Sequence, residues 1–462
     1  MDSSNALSVL GTWTAVTTLY VTLTRSDNSV IGRGILTVSM KNFVNQLHTI
    51  DGIGGSLEIR ENSAEEFISY FTERLAGSFV PFSGLQYPSP SEKPLRCDPA
   101  PTNIITVTAS DGVESTLRIW VPRDSTASVP VLLVPGASVD YNIFALPTIP
   151  TNFVNYLLTH RYTVYCVDHR TCKVPTAKRN WTTYDSRLDI AAAVKYILKE
   201  TGLAKIYAVV HCAGAIAMAA GLLDGTIQGI GGLSVSSVFM QPIFAEVNMC
   251  KALLQPSIAS LLDAEVGDWY DCVPDDDDIV ENLFNECLQI YPTGASDICS
   301  SVVCRRSQLV FGEYLYRFSN WLIGRLWSHI CLNETTHENL NHFVGGVSMR
   351  NLKQLLHMGT QGYIINNSFE SLLTDENIER LRNIPILFIH GTNNGVYSPE
   401  STLKDYDLLS DKLDASMYDR WLFDDHGHLD CWMGKSSFID VYPKVEQHAR
   451  TTITAMGSSL SP

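Results

Sequence analysis

The chain has 462 residues, enough for one large core with an appended region. Its 33 Lys+Arg against 49 Asp+Glu leave a net charge of −16, which argues against nucleic acid or an anionic membrane surface as partner. A hydrophobic content of 45% is that of a globular chain rather than a disordered one.

The opening MDSSNALSVLGTW lacks a basic segment followed by an apolar one, so no signal peptide is expected. No apolar run is long enough to span a bilayer, and a cytoplasmic protein is expected. Residues 10–38 read as two strands around the turn RSDNSV. NSAEEFISYFTERLAG reads as a helix, with Ser63 and Glu66 as a capping box and Gly77 at its end. Prolines 81, 88, 90, 94, 99 and 101 then mark a linker, so 1–100 is expected to be an N-terminal α+β accessory region.

From residue 101 strands and helices alternate. NIITVTA and STLRIWVP suggest a leading hairpin, and VPVLLVPGAS and YTVYCVDHR suggest buried strands. YDSRLDIAAAVKYILKETG suggests an amphipathic helix capped by Asp185 and stopped at Gly202. KIYAVVHCAGAIAMAAGLL is a β-branched strand that breaks into a small-residue turn and a helix. The strands of IPILFIHGTNNGV and SMYDRWLFDDHGHLD come much later. This alternation predicts an α/β fold with a mostly parallel sheet and chemistry at the carboxyl ends of its strands. The core is expected in two parts, 101–243 and 381–462, with 244–380 as a large helical lid between them. Asp275–Asp278 lacks the alternating ligands of a calcium loop and reads as a solvated helix start. Eleven cysteines are scattered through the chain, and six of them fall at 250, 272, 287, 299, 304 and 331. Cys299 and Cys304 are close enough for a disulfide or a metal, but no second pair has zinc-like spacing, so no metal or cofactor is expected.

The strand–turn–helix around Cys212 has the form of a nucleophile elbow with cysteine at the tip. Ala213, Gly214 and Ala215 are small enough for the close packing that an elbow needs, although Val210 stands where a glycine is usual. A helix N-terminus and a nearby imidazole are expected to favour the thiolate. The amide of Ala213 and that of Ala137, after Pro135-Gly136, are candidates for an oxyanion hole. His426 and His428 in DDHGHLDCW are candidate bases, and Gly427 favours His428. After PILFIHG an acid is expected, yet Asn394 fills that slot; it can orient a histidine but cannot stabilise an imidazolium by charge. Cys-His-Asn is a working combination, while Glu246 or Glu400 remains an alternative carboxylate. His211 precedes the tip and is expected to be structural or to line the pocket; His169 and Arg170 are expected to be structural.

These features resemble the α/β-hydrolase superfamily. The segments TTLYVTL, VHCAG, CRR with FGEYLY, NETTHENL, PILFIHGTNNGVYSPEST, GHLDCWMG and DVYP resemble one branch of it, the hydrolase-like regions that accompany cholesterol-oxidase-type flavoproteins. The likeness runs from about residue 10 to 448, without a flavin-binding glycine motif. That branch also carries asparagine in the acid's slot. Stand-alone members resemble release enzymes of fungal polyketide and lipid pathways. The resemblance implies an acyl chain delivered by an acyl carrier domain of a polyketide or fatty-acid synthase, with Cys212 as nucleophile and His428 as base. The expected function is thioesterase-like acyl transfer with ring closure. Simple hydrolysis, a non-covalent cyclase using His428, and a binding protein on a retired scaffold are the alternatives.

Overall fold

The computed structural model describes residues 99–123, 129–245, 268–273, 301–311, 326–328 and 331–458, together with short strands among residues 6–81 by their backbone. In that early region Trp13–Ala15, Thr18–Thr24, Val30–Thr37 and Ser78–Pro81 form a four-stranded antiparallel sheet, which includes the two strands expected over 10–38. The helix expected at 63–77, and Glu246, Asp275–Asp278 and Cys299, lie outside the described residues.

The core is an eight-stranded sheet. Its strands are β1 (Asn103–Thr108), β2 (Glu114–Trp120), β3 (Val129–Val134), β4 (Tyr162–Asp168), β5 (Ile206–His211), β6 (Ile230–Ser236), β7 (Ile386–Gly391) and β8 (Tyr418–Phe423). The spatial order is β8-β7-β6-β5-β3-β4-β2-β1. β1, β2 and β4 pair antiparallel, and every pairing from β4 to β8 is parallel. The strands β4, β5, β6 and β7 are buried along their whole length, as expected where helices cover both faces of a parallel sheet.

Helices α1 (Phe153–Thr159) and α6 (Tyr442–Ser458) touch each other and cover one face; α2 (Arg187–Thr201) and α3 (Cys212–Leu223) touch and cover the other. Between 244 and 380 the longest described helix is α4 (Met349–Gln361), and α5 (Glu400–Lys412) follows β7. Helix α2 starts two residues beyond its expected cap. Ser186 holds the N-cap position, while the carboxylate of Asp185 accepts from the amide and hydroxyl of Thr182. Gly202 ends α2 in the left-handed region at φ 70, where a side chain would be strained.

Parallel register sets the site. Val210 of β5 lies level with Val134 of β3 and Val235 of β6, and Ser236 lies level with Ile389 of β7. The turns that follow β3, β5 and β7 therefore emerge at one edge, the carboxyl edge. The loop after β4 is pinned from below. Arg170 is buried and bridges Asp189 of α2, at 2.7 Å, and Asp111 of the β1–β2 turn, at 2.6 Å. Arg118 pairs with the buried Asp168, whose other oxygen accepts the amide of Tyr141. A buried guanidinium removed from its partners leaves an uncompensated carboxylate inside. Arg170→Ala should therefore lower unfolding stability by about 3–5 kcal/mol in urea titration; an unchanged midpoint would show that the Asp111 and Asp189 contacts contribute nothing.

Candidate active site

Cys212 is the first residue of α3 and sits at φ 54, a left-handed conformation that a non-glycine residue adopts only where its surroundings enforce it. Those surroundings are visible. A Cβ on Gly214 would lie 2.2 Å from the carbonyl oxygen of Pro135, and one on Gly136 would lie 2.9 Å from Cys212 Cβ. The helix start and the turn after β3 thus approach so closely that both positions admit only glycine. The approach lifts the Cys212 side chain into an apolar pocket and aims two amides, Ala213 N–H and Ala137 N–H, at its sulfur. These are the two amides expected for an oxyanion hole.

The turn bearing Ala137 is held from behind. His169 Nε2 meets the carbonyl of Pro135 at 2.9 Å, and Cys172 Sγ lies 3.6 Å from that of Gly136. Ser138, also left-handed at φ 63, donates its amide to Thr171 O and accepts that of Gly345. His169 and Arg170 are structural as expected, and His169 has a defined task in fixing the amide that faces the sulfur.

His428 is buried and lines the same pocket, with its Nδ1 3.1 Å from Asn394 Nδ2. The orientation of that amide follows from chemistry. Asn394 Oδ1 accepts the backbone amides of Val396 at 2.9 Å and Tyr397 at 3.1 Å. Backbone N–H groups only donate, so the atom facing them is the oxygen and the atom facing His428 is the nitrogen. Asn394 therefore donates, His428 Nδ1 accepts, and the proton of the neutral imidazole is on Nε2. A carboxylate in the same slot would impose the opposite tautomer. Glu400 is exposed at the start of α5, and its backbone amide donates to Ser398 Oγ.

His211 is fully buried and lines the pocket beside Cys212. Its Nδ1 lies 3.2 Å from Ser236 Oγ, and its Nε2 has no hydrogen-bond partner. A ring nitrogen of His211, a ring nitrogen of His428 and Cys212 Sγ lie within 4.8 Å of one another, and the two imidazole rings are 4.6 Å apart. Two nitrogens and a sulfur are donors that zinc accepts, but His428 would first have to lose the Nε2 proton that Asn394 imposes. His426 does not share the site; its Nδ1 meets the carbonyl of Asp424 and its ring packs near Phe423.

The electrostatics depart from the expected thiolate. Removal from water pushes the Cys212 thiol up to about 12, and the two amides only partly offset this. Burial also drives His428 well below the usual imidazole range and His211 down to about 3. The His211 and His390 rings further disfavour charge on His428, and His390 does the same to His211. The resting site is a neutral thiol between two neutral imidazoles.

Residues 129–225 match a family model described as the alpha/beta hydrolase fold. That segment holds β3 to β5 and the elbow, and the sheet around it has the order given above. The fold is that of an α/β hydrolase. No curated protein matches the chain. Among solved structures, a soluble variant of monoglyceride lipase from Saccharomyces cerevisiae is similar at 14% identity and TM-score 0.48, covering 80% of this chain and 99% of that one. A thermostable carboxyl esterase from Bacillus coagulans is similar at 14% identity and TM-score 0.46, over 77% of this chain and 98% of that one. DcsB, in complex with its substrate analogue, is similar at 11% identity and TM-score 0.44, over 76% and 99%. Among the described residues no helix is long and apolar enough to cross a membrane.

Two contributors to this hydrolase-fold site escaped the sequence reading. Tyr397 stacks on Phe244 at 5.5 Å and stands 5.9 Å from the His428 ring. Its closeness to Asn394 in NNGVY was the available signal. Asp430 is buried, and its Oδ2 accepts the amides of Gly427 and Ser328, both at 2.8 Å, which ties down the loop carrying His428. Its place two residues after His428 pointed to it. Because a thiol with a raised pKa is protonated at neutral pH, iodoacetamide labelling of the Cys212 peptide should keep rising beyond about pH 9. A plateau near pH 7, followed by mass spectrometry of that peptide, would mean a resting thiolate instead.

Proposed function

We propose that this protein is an acyl-transfer enzyme in which Cys212 takes an acyl group from a thioester and passes it to a second nucleophile. The carrying observation is that Ala137 N–H and Ala213 N–H both aim at the Cys212 sulfur on the floor of an apolar pocket. A carbonyl attacked by that sulfur places its developing oxyanion beside the same two donors. Apolar side chains such as Val139, Phe244, Leu352, Leu355, Val396 and Leu429 line the pocket, which suits a hydrocarbon chain. Thiol-to-thioester exchange is near thermoneutral, so an acyl carrier domain of a polyketide or fatty-acid synthase is the proposed donor. The acyl-cysteine formed keeps an electrophilic carbonyl and acidic α-protons.

The stretch 244–380 is proposed to act as a lid. Phe244, Leu326, Val344, Leu352, Leu355 and Leu356 all come from it and wall the pocket. A wall of this kind excludes water and folds a long chain back on itself, favouring carbon–carbon or lactone ring closure over hydrolysis. The resemblance drawn from the sequence to fungal polyketide release enzymes implies the same outcome. The proposed location is cytoplasmic.

Intact-protein mass spectrometry after incubation with a panel of acyl thioesters tests the reading. Wild-type protein should gain the mass of the acyl group, and Cys212→Ala should not. Released cyclic product supports ring closure; released free acid reduces the function to a thioesterase. No adduct with any thioester, even on rapid quench, would overturn covalent transfer in favour of a non-covalent cyclase or a binding protein.

A further inference from the structure

The proposed transfer requires the Cys212 proton to go somewhere, and the hydrogen bonds of the site limit where. His428 is the expected acceptor. Yet the Asn394 amide has its oxygen committed to Val396 N–H and Tyr397 N–H and its nitrogen to His428 Nδ1. His428 Nε2 therefore carries a proton and has no lone pair to offer the thiol. Protonation at Nδ1, which would make an imidazolium acid, is blocked as well, since it would set N–H against N–H. His428 is thereby held as a neutral donor. His211 carries no such constraint, because its Nδ1 faces a hydroxyl, which can accept as well as donate and so allows Nε2 to be the bare nitrogen. Its Nδ1 faces the oxygen of Ser236, and its Nε2 is a buried polar atom without a partner on a ring that lines the pocket beside the sulfur.

We propose that His211 is the base that takes the Cys212 proton, and that Asn394 fixes His428 as a hydrogen-bond donor rather than a base. The proposal rests on acyl transfer through Cys212. In the first half-reaction the S–H proton moves to His211 Nε2 as the sulfur bonds the thioester carbonyl carbon. His211 Nδ1–H donates to Ser236 Oγ in both protonation states. The oxyanion is held by Ala137 N–H and Ala213 N–H, and His428 Nε2–H adds a third donor. Collapse breaks the bond between the carbonyl carbon and the leaving sulfur, and His211 returns the proton to that sulfur. The products are acyl-Cys212 and a free thiol, with no net oxidation and no further reactant. Burial opposes a lasting imidazolium at His211, so proton transfer and sulfur attack are concerted. The distances among the three groups, all within 4.8 Å, are those of a resting site that tightens around substrate.

The test has two arms. Nitrogen NMR of the full chain with ¹⁵N-labelled histidine, without substrate, should show His428 protonated on Nε2 and bare on Nδ1, and Asn394→Asp should reverse this. A His428 protonated on Nδ1 in the wild type would overturn the assignment whether or not the protein transfers acyl groups. The second arm measures single-turnover acylation by an aliphatic N-acetylcysteamine thioester, read by mass. His211→Gln should slow acylation about 10²–10⁴-fold, and the loss should shrink when combined with Asn394→Asp, because the carboxylate returns a lone pair to His428 Nε2. A structural role for His211 predicts the same loss in both backgrounds. Wild-type acylation by His211→Gln, with Cys212→Ala inactive, would remove His211 as the base while leaving acyl transfer intact. Failure of wild-type protein to acylate at all would count against acyl transfer, and with it the role of His211.

Discussion

Helix α3 begins in contact with the end of β3, and the rest of the site depends on that contact. Gly214 packs against the carbonyl of Pro135 where no Cβ fits, and Gly136 packs against Cys212 in the same way. The close approach forces Cys212 into the left-handed region, which turns its sulfur outward between the amides of Ala213 and Ala137. The surrounding scaffold maintains the approach. His169 and Cys172 hold the carbonyls of the β3 turn, and Arg170 ties the loop they occupy to α2 and to the β1–β2 turn. The strained residue is the proposed nucleophile, and its neighbours supply the packing that sustains the strain.

Burial sets the electrostatic character of the site, and a single atom sets the tautomer of His428. An aspartate in place of Asn394 would accept from His428 and allow it to become charged. The amide nitrogen donates instead, and an apolar pocket removes the alternative of solvation. A histidine pair 4.6 Å apart cannot then share much positive charge. Removal from water in the same pocket accounts for a thiol that stays protonated at a helix N-terminus, where a thiolate would otherwise be favoured. A site that is neutral at rest develops charge only as a carbonyl arrives. Preorganised amides are most effective under that condition, since the oxyanion forms in a region of low polarity.

The pocket wall shows how chain order and space diverge. Phe244, Leu352 and Leu355 come from the stretch that interrupts the strand–helix alternation, while Val396 and Leu429 follow β7 and β8. Tyr397 joins the two groups by stacking on Phe244 and facing His428. Asp430 performs the equivalent task behind His428, where its carboxylate gathers the amides of Gly427 and Ser328.

The order of strands and helices, the elbow at Cys212, the two candidate amides and the Asn394 slot were all legible in the sequence. Each depends on local pattern: β-branched runs mark buried strands, small residues mark a tight turn, and parallel strands deliver their following loops to one edge. The role proposed for His211 was not legible, because a residue beside the tip has no periodic signature of where its ring will point. Nor was the tautomer of His428. It depends on which end of the Asn394 amide meets two backbone N–H groups, and a sequence specifies the amide but not its direction. The acidity of Cys212 was misjudged for the same reason. Helix position and a nearby imidazole are cues for a thiolate that a sequence displays, but desolvation exists only once the chain has closed around the thiol.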